Sequence, residues 1–174
     1  LLSEANHYGE IMNKSLILTL IVTLHSSSSI IAQTWVDSLD NFAREEFLPA
    51  KKYNWTWQNA ALLNVMVKQY NKSTPERQKL YLDYVKTAMD KCYKRARGKT
   101  PNGVASALGM AFLYRVTGEE RYLKKGEEIY EAYMKIDRTE GGGVSHLRLN
   151  RELWDDTIFM VGQFLMEMYK ATND

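Results

Sequence analysis

The chain has 174 residues, 23 basic and 21 acidic, for a net charge of +2, with one cysteine, three prolines and ten glycines. Charges so balanced and interleaved give no case for a polyanion partner, and none for nucleic acid. A lone cysteine, Cys92, excludes an internal disulfide and reads as a half-buried structural thiol; no zinc-type Cys/His cluster occurs in the sequence, so no metal is expected.

Residues 1–11, "LLSEANHYGEI", fit no targeting design and read as residues upstream of a true start at Met12. Residues 12–32 read as a secretory signal peptide, with Lys14 as the basic region, Leu16 to Leu24 as the apolar core and the small Ala32 at the cleavage position. That core is shorter than the roughly 20 apolar residues of a membrane span. A buried helix or an anchor is the other reading. The expectation is a secreted or periplasmic protein, free of the membrane once the signal is removed, with residues 33–174 as one domain.

Apolar residues recur at three- and four-residue spacings almost throughout the rest, which predicts an all-α fold of six helices. The first covers 35–47 and stops before Pro49. The second follows Thr56 as N-cap through "WQNAALLNVMVKQY", and the third follows Thr74 as cap with Pro75 at the first helical position. The fourth, "GVASALGMAFLYRVT", ends at Gly118. "EERYLKKGEEIYEAYMKI" and "LWDDTIFMVGQFLMEMYKAT" make the fifth and sixth.

The second, fourth and sixth helices are apolar nearly all round, whereas the third and fifth carry a charged face. Buried inner helices therefore alternate with surface outer ones. Three related stretches, "YNKSTPERQKLY" (70–81), "YRVTGEERYL" (114–123) and "YKATND" (169–174), mark the turn from inner to outer helix. The third copy has no outer helix after it, so the chain reads as the N-terminal part of something longer, with an inner layer lacking some of its cover.

Read together, "YNWTWQNAALL" (53–63), "LYRVTGEERYLKKGEEIYEAYMKIDRTEGGGVSH" (113–146) and "ELWDDTIFM" (152–160) resemble the unsaturated glucuronyl and rhamnogalacturonyl hydrolases, glycoside hydrolase families 105 and 88. The resemblance runs from about Trp35 to the end. It implies part of an (α/α)6 barrel of antiparallel helical hairpins, with a cleft at one end of the inner helices. It also implies an activity: removal of a 4,5-unsaturated uronic acid from the non-reducing end of lyase-generated oligosaccharides. An aspartic acid donates a proton to C4, water adds at C5, and the resulting hemiketal opens with loss of the glycosidic bond. Such chemistry calls for no metal or cofactor.

The resemblance places the catalytic aspartate two residues after Trp154, at Asp156. Successive helical residues point about 100° apart, so only one of Asp155 and Asp156 can face a cleft. Asp156 shares a stripe with Met160, Gln163 and Glu167, the more polar face, which suits a water-lined lumen; Asp155 heads Phe159, Gly162 and Met166 and is expected to cap the helix.

His146, after the triple glycine Gly141 to Gly143, matches a histidine that the family keeps near substrate; a surface loop histidine is the other reading. Trp154, Trp55 and Trp57 could stack on a sugar ring, with core packing as the alternative for the last two. Arg138 and Arg148 could pair with a uronate carboxylate or be simply solvated. The chain departs from the resemblance at "KTPNGVASALGM", where many relatives carry a second functional aspartate and Asn102 is the nearest polar residue. Two further readings stand beside the leading one: another α/α-toroid glycosidase or lyase, and a helical-repeat binding protein without catalysis.

Overall fold

The structure, a computed structural model, describes residues 35–146 and 152–173; the segment 1–32, read as upstream residues and signal peptide, lies outside the described residues. By internal contacts the chain divides into two units, Leu1–Ala43 and Arg44–Asp174. Residues 35–41 (α1) are helical. The chain then continues as a π-helix, Phe42–Phe47, where a single uninterrupted helix is predicted.

The second unit holds α2 (Trp57–Tyr70), α3 (Pro75–Cys92), α4 (Pro101–Val104), α5 (Leu108–Thr117), α6 (Glu120–Met134) and α7 (Asp156–Thr172). Among the described residues there is no strand, only an isolated bridge between Arg138 and Val144, so the all-α reading holds. No described helix is long and apolar enough to cross a membrane.

Local chemistry accounts for most of the helix ends. Thr56 caps α2, its hydroxyl accepting from the Asn59 N–H at 3.3 Å, and Gly118 ends α5 in the left-handed conformation with its N–H on Tyr114 O at 2.8 Å. Thr74 does not cap α3 as expected: its side chain makes no bond to the helix backbone and instead serves the Glu76 carboxylate, which is held below its ordinary pKa by hydrogen bonds to its own backbone N–H and to Thr74.

The predicted fourth helix is broken in two. It begins at Pro101, capped by Thr100 on the Gly103 N–H at 3.1 Å, and tightens to a 3-10 turn over Ala105–Ala107 before α5. Ser106 explains why that turn is held. Its hydroxyl donates to Thr56 O at 3.2 Å and lies 2.8 Å from the Tyr53 hydroxyl, so Tyr53 is left to donate to it. Tyr53 and Ser106 are fully buried, and the chain of bonds ties the start of α2 to the junction of α4 and α5.

The expected alternation of fully buried inner helices with half-exposed outer ones is met by α5 but not by α2, which buries only the stripe Ala60-Leu63-Asn64-Met66-Val67 and leaves Trp57 and Val65 exposed. α2 packs on α3, and α5 packs on both α6 and α7. Leu108 to Leu113 of α5 are all buried, while α3 and α6 bury one stripe each, Tyr81-Tyr84-Val85-Ala88-Met89-Cys92 and Tyr122-Gly126-Ile129-Tyr133. α7 is covered on one side only. Ile158, Leu165, Met166 and Tyr169 are exposed, Ile158 at 76%.

Ala60, Ala105 and Met160 form one buried cluster. Each lies near the start of its own inner helical segment, so the N-terminal ends of α2, α4 and α7 come together. Trp57, Asn102 and Asp156 sit about one turn before these three, at that same end.

Candidate active site

The loop before α7 is built by a tight turn. Thr139 N–H bonds to Gly143 O at 2.8 Å, and Gly142 N–H bonds to Thr139 O at 2.9 Å with φ of +82°, a conformation that glycine adopts freely. The returning segment carries Ser145 and His146 inward: Ser145 N–H bonds to Asp137 O at 3.1 Å and His146 N–H to Glu152 O at 2.8 Å. His146 is buried, at 6% exposure, which removes the reading of a surface loop histidine.

Three side chains close on the imidazole. Nδ1 lies 3.0 Å from Thr157 Oγ1 and 3.3 Å from Asp156 Oδ1, and the Trp154 indole stacks on the ring at 4.4 Å between centroids with 5° between planes. Trp154 is itself oriented by Nε1–H donating to Glu152 Oε2 at 2.8 Å, and it is 43% exposed, so one face covers His146 while the other remains accessible. The Asp156 carboxyl is divided. Oδ1 is buried and lacks a hydrogen-bond partner, its approach to His146 being an electrostatic contact; the side chain is 42% exposed, which leaves Oδ2 as the accessible oxygen.

α7 begins at Asp156, not at Leu153 as predicted, because Trp154 is committed to His146 and Glu152 and its carbonyl accepts from Thr157 N–H at 3.2 Å. The expectation that Asp155 caps α7 is overturned. Asp155 has helical backbone angles, makes no side-chain cap bond and is exposed. The lumen stripe also differs from expectation: Met160 and Glu167 are buried, and Glu167 is held by Arg115 of α5 at 3.0 Å and Lys170 at 2.7 Å. A counter-ion on the neighbouring helix, rather than water, satisfies that carboxylate.

Residues 28–174 match the family described as Glycosyl Hydrolase Family 88. The chain belongs to that family. It is 25% identical over 126 residues to the unsaturated rhamnogalacturonyl hydrolase YesR of Bacillus subtilis (strain 168), covering 67% of this chain and 35% of that protein. The chain thus spans about a third of the length of this curated relative. No solved structure matches it significantly.

Within this family-88 chain the structure brings together His146, Trp154 and Asp156 of the predicted residues. Asn102 and Trp57 lie at the same end of the inner helices, and Asn102 Oδ1 is, like Asp156 Oδ1, buried without a hydrogen-bond partner. Trp55 has a fixed structural duty, its Nε1–H donating to Gly103 O at 2.7 Å and Arg97 O at 3.1 Å. Arg138 lies apart, with its guanidinium 5.8 Å from the Tyr133 ring centroid and Nη2 3.8 Å from Met134 Sδ. Arg148 lies outside the described residues.

A cavity of about 470 Å³ has Ser145 and His146 on its wall together with Thr100, Pro101 and the acids Glu128, Glu131 and Asp137; Asp156 is not part of that wall. Two residues of the site were missed in the sequence, Thr157 and Glu152. Thr157 did leave a signal, because it heads the stripe Thr157-Val161-Phe164, whose members are all buried, and a hydroxyl at the head of an apolar stripe must find a partner.

Proposed function

We propose that the complete protein is a glycoside hydrolase that removes a 4,5-unsaturated uronic acid from the non-reducing end of lyase-generated oligosaccharides, with Asp156 as proton donor. The observation that carries this reading is the convergence, at the ends of α7 and α4, of Asp156 with its Oδ2 accessible, the Asn102 amide whose Oδ1 lacks a donor, and an accessible indole face. Sugar hydroxyls supply donors, and an indole supplies the apolar platform that a pyranose ring stacks on.

In this reading Trp154 stacks on the sugar and Asp156 Oδ2, carrying its proton, faces C4. Proton transfer leaves a carboxylate able to take up a proton from the water that adds at C5. The hemiketal then opens and the glycosidic bond is lost. His146 holds Asp156 from behind through Oδ1, and Arg148, two residues after His146, is the proposed partner of the uronate carboxylate. The name of the Bacillus relative, an unsaturated rhamnogalacturonyl hydrolase, supports rhamnogalacturonan-derived saccharides as the substrate class. The apolar stretch at 16–24 supports action outside the cytoplasm, and recovery of the intact precursor in the cytosolic fraction would sink that part.

The test follows the ultraviolet absorbance of the conjugated enol carboxylate in lyase-generated oligosaccharides, using the complete protein and Asp156→Asn. Absorbance should fall with the wild type and about 10²- to 10⁴-fold more slowly with the variant, the range for loss of a general acid. No loss of absorbance with any saccharide from a folded wild type would remove this reading and favour a toroid lyase or a binding role.

A further inference from the structure

The balanced charge of the whole chain conceals a local excess. Residues 90–99 carry five cations, Lys91, Lys94, Arg95, Arg97 and Lys99, against one carboxylate, Asp90. That carboxylate is already engaged, 2.8 Å from Arg121 and 2.7 Å from the Tyr122 hydroxyl. None of Arg95, Arg97 and Lys99 is paired with a carboxylate among the described residues.

The backbone presents these cations deliberately on one side. After α3 the chain makes a 3-10 turn, Tyr93–Arg95, and then runs extended through 96–98, where Ala96 and Gly98 are buried and Arg95, Arg97 and Lys99 are exposed. That is the two-residue alternation of an extended segment with one face packed. Gly98 fixes the register, because a Cβ there would stand 2.4 Å from Ile129 O and 2.7 Å from Ile129 Cγ2 on α6. Only glycine lets the segment lie this close, so the cationic side chains are held outward.

A cavity of about 590 Å³ opens over this row, walled by Trp55, Lys91, Arg95, Arg97, Lys99 and Thr100 among others, with no acidic residue in its lining. Lys91 is oriented by a 2.8 Å bond to Tyr53 O, and Trp55 by its two bonds to Arg97 and Gly103 carbonyls, so both are part of a fixed wall. Lys99 and Thr100 also wall the His146 cavity, so the two cavities share a rim. The His146 side of that rim carries three carboxylates against Lys135 and the shared Lys99, whereas the Arg95–Lys99 side is lined by cations without a carboxylate and supplies the countercharge for an anionic chain.

We propose that the Trp55–Lys91–Arg95–Arg97–Lys99 pocket is a second saccharide site that binds the carboxylates of an acidic oligosaccharide beside the candidate active site. It rests on the reading of a uronate-bearing substrate. Cations next to a fixed indole suit a sugar ring that carries a carboxylate better than a bare ion, since the ring offers an apolar face to the indole while the carboxylate takes charge-assisted hydrogen bonds.

The experiment is titration calorimetry of the complete protein with saturated hexagalacturonate, which has no 4,5 double bond to hydrate, against maltohexaose, inorganic phosphate and a single-stranded hexanucleotide. The variant is Arg95→Gln/Arg97→Gln/Lys99→Gln, whose positions are exposed and whose folding is checked by circular dichroism. Hexagalacturonate should bind, weaken with added salt, and lose about tenfold in affinity in the variant, since three exposed charge pairs of roughly 0.5 kcal/mol each amount to the ~1.4 kcal/mol of one factor of ten.

Equal affinity of wild type and variant overturns the proposal. Equal binding of maltohexaose, full competition by phosphate at matched concentration, or tighter binding of the hexanucleotide overturns it as well. Turnover that needs Asp156, with hexagalacturonate binding indifferent to the three cations, removes the pocket and leaves the catalytic reading standing. Absent turnover with binding that still needs the three cations removes the catalytic reading and leaves the pocket.

Discussion

Thr157→Val is the sharpest probe of how the site is held. Valine keeps the shape of threonine and removes one hydroxyl, the group that lies 3.0 Å from His146 Nδ1 at a position 7% exposed. Losing an intramolecular hydrogen bond costs about 0.5–1.5 kcal/mol, and a buried ring nitrogen left without a partner adds about 1–3 kcal/mol. The second cost is partly relieved here, because Asp156 Oδ1 is only 3.3 Å from Nδ1 and can accept in place of Thr157. The net expectation is about 1–2 kcal/mol, or a fall in Tm of about 2–4 °C for each kcal/mol in a chain of this size. The same relief predicts a kinetic effect. Once His146 bonds to Asp156 Oδ1, the carboxyl is drawn towards the ring and Oδ2 is displaced from its place beside Trp154, so in the proposed reaction kcat should fall more than KM rises. Thr157→Ser, which restores the hydroxyl, should restore both. Thermal unfolding by circular dichroism together with the absorbance assay reads each arm. Unchanged Tm and unchanged kcat in Thr157→Val would refute the reasoning, since His146 would then be held by something other than this hydroxyl.

Gly98→Ala places a Cβ 2.4 Å from Ile129 O, and overpacking of this kind costs about 1–3 kcal/mol; a variant with wild-type Tm and wild-type hexagalacturonate affinity would count against the close approach of the cationic segment to α6. Arg115→Leu strands the buried Glu167 with Lys170 alone, and should cost more than Arg115→Leu/Glu167→Leu, because an uncompensated buried charge is worse than an apolar pair; equal denaturation midpoints for the two would sink this account. Burial pushes the Tyr84 hydroxyl, which donates to Leu48 O at 2.8 Å, up to about 12 from an ordinary value near 10. The unfolded chain therefore ionises first, so stability is full below about pH 10 and declines as pH rises towards about 12, with Tyr53 and Tyr122 raised by burial in the same sense; urea midpoints at pH 8, 10 and 11.5 should show the decline, and a flat series would contradict it.

The helical plan was legible because it depends on periodicity. α3 and α6 declare their buried stripes in the order of their apolar residues, and α5 declares its burial by being apolar all round. What failed was anything set by a partner far away in the chain. The break at Ala105–Ala107 depends on Tyr53, 53 residues before Ser106, and the burial of Glu167 depends on Arg115, 52 residues before it. Trp55 reads as a free side chain in the sequence, and only the carbonyls of Arg97 and Gly103, more than 40 residues away, pin its N–H and make the indole a fixed wall. The start of α4 is different. Thr100-Pro101 repeats the signature of Thr74-Pro75 and could have been taken from it. The cationic pocket was hidden by averaging: a net charge of +2 over 174 residues says nothing of five cations gathered in ten.

The adjacent carboxylates Asp155 and Asp156 have separate fates for a geometric reason. The loop before α7 is committed by Trp154, whose ring is fixed between His146 and Glu152, and this sets the direction in which the helix leaves. From that start a rotation of about 100° separates consecutive side chains. One of them must turn towards the stripe of Met160 and Glu167, and the other towards the exposed stripe of Phe159 and Met166. Asp156 takes the first direction and meets His146; Asp155 takes the second and meets solvent. A shift of one residue in the start of α7 would exchange them, so the identity of the site carboxylate is decided by the Trp154 stack and not by either aspartate. That is why Trp154→Ala, more than Asp155→Ala, should disturb the position of Asp156.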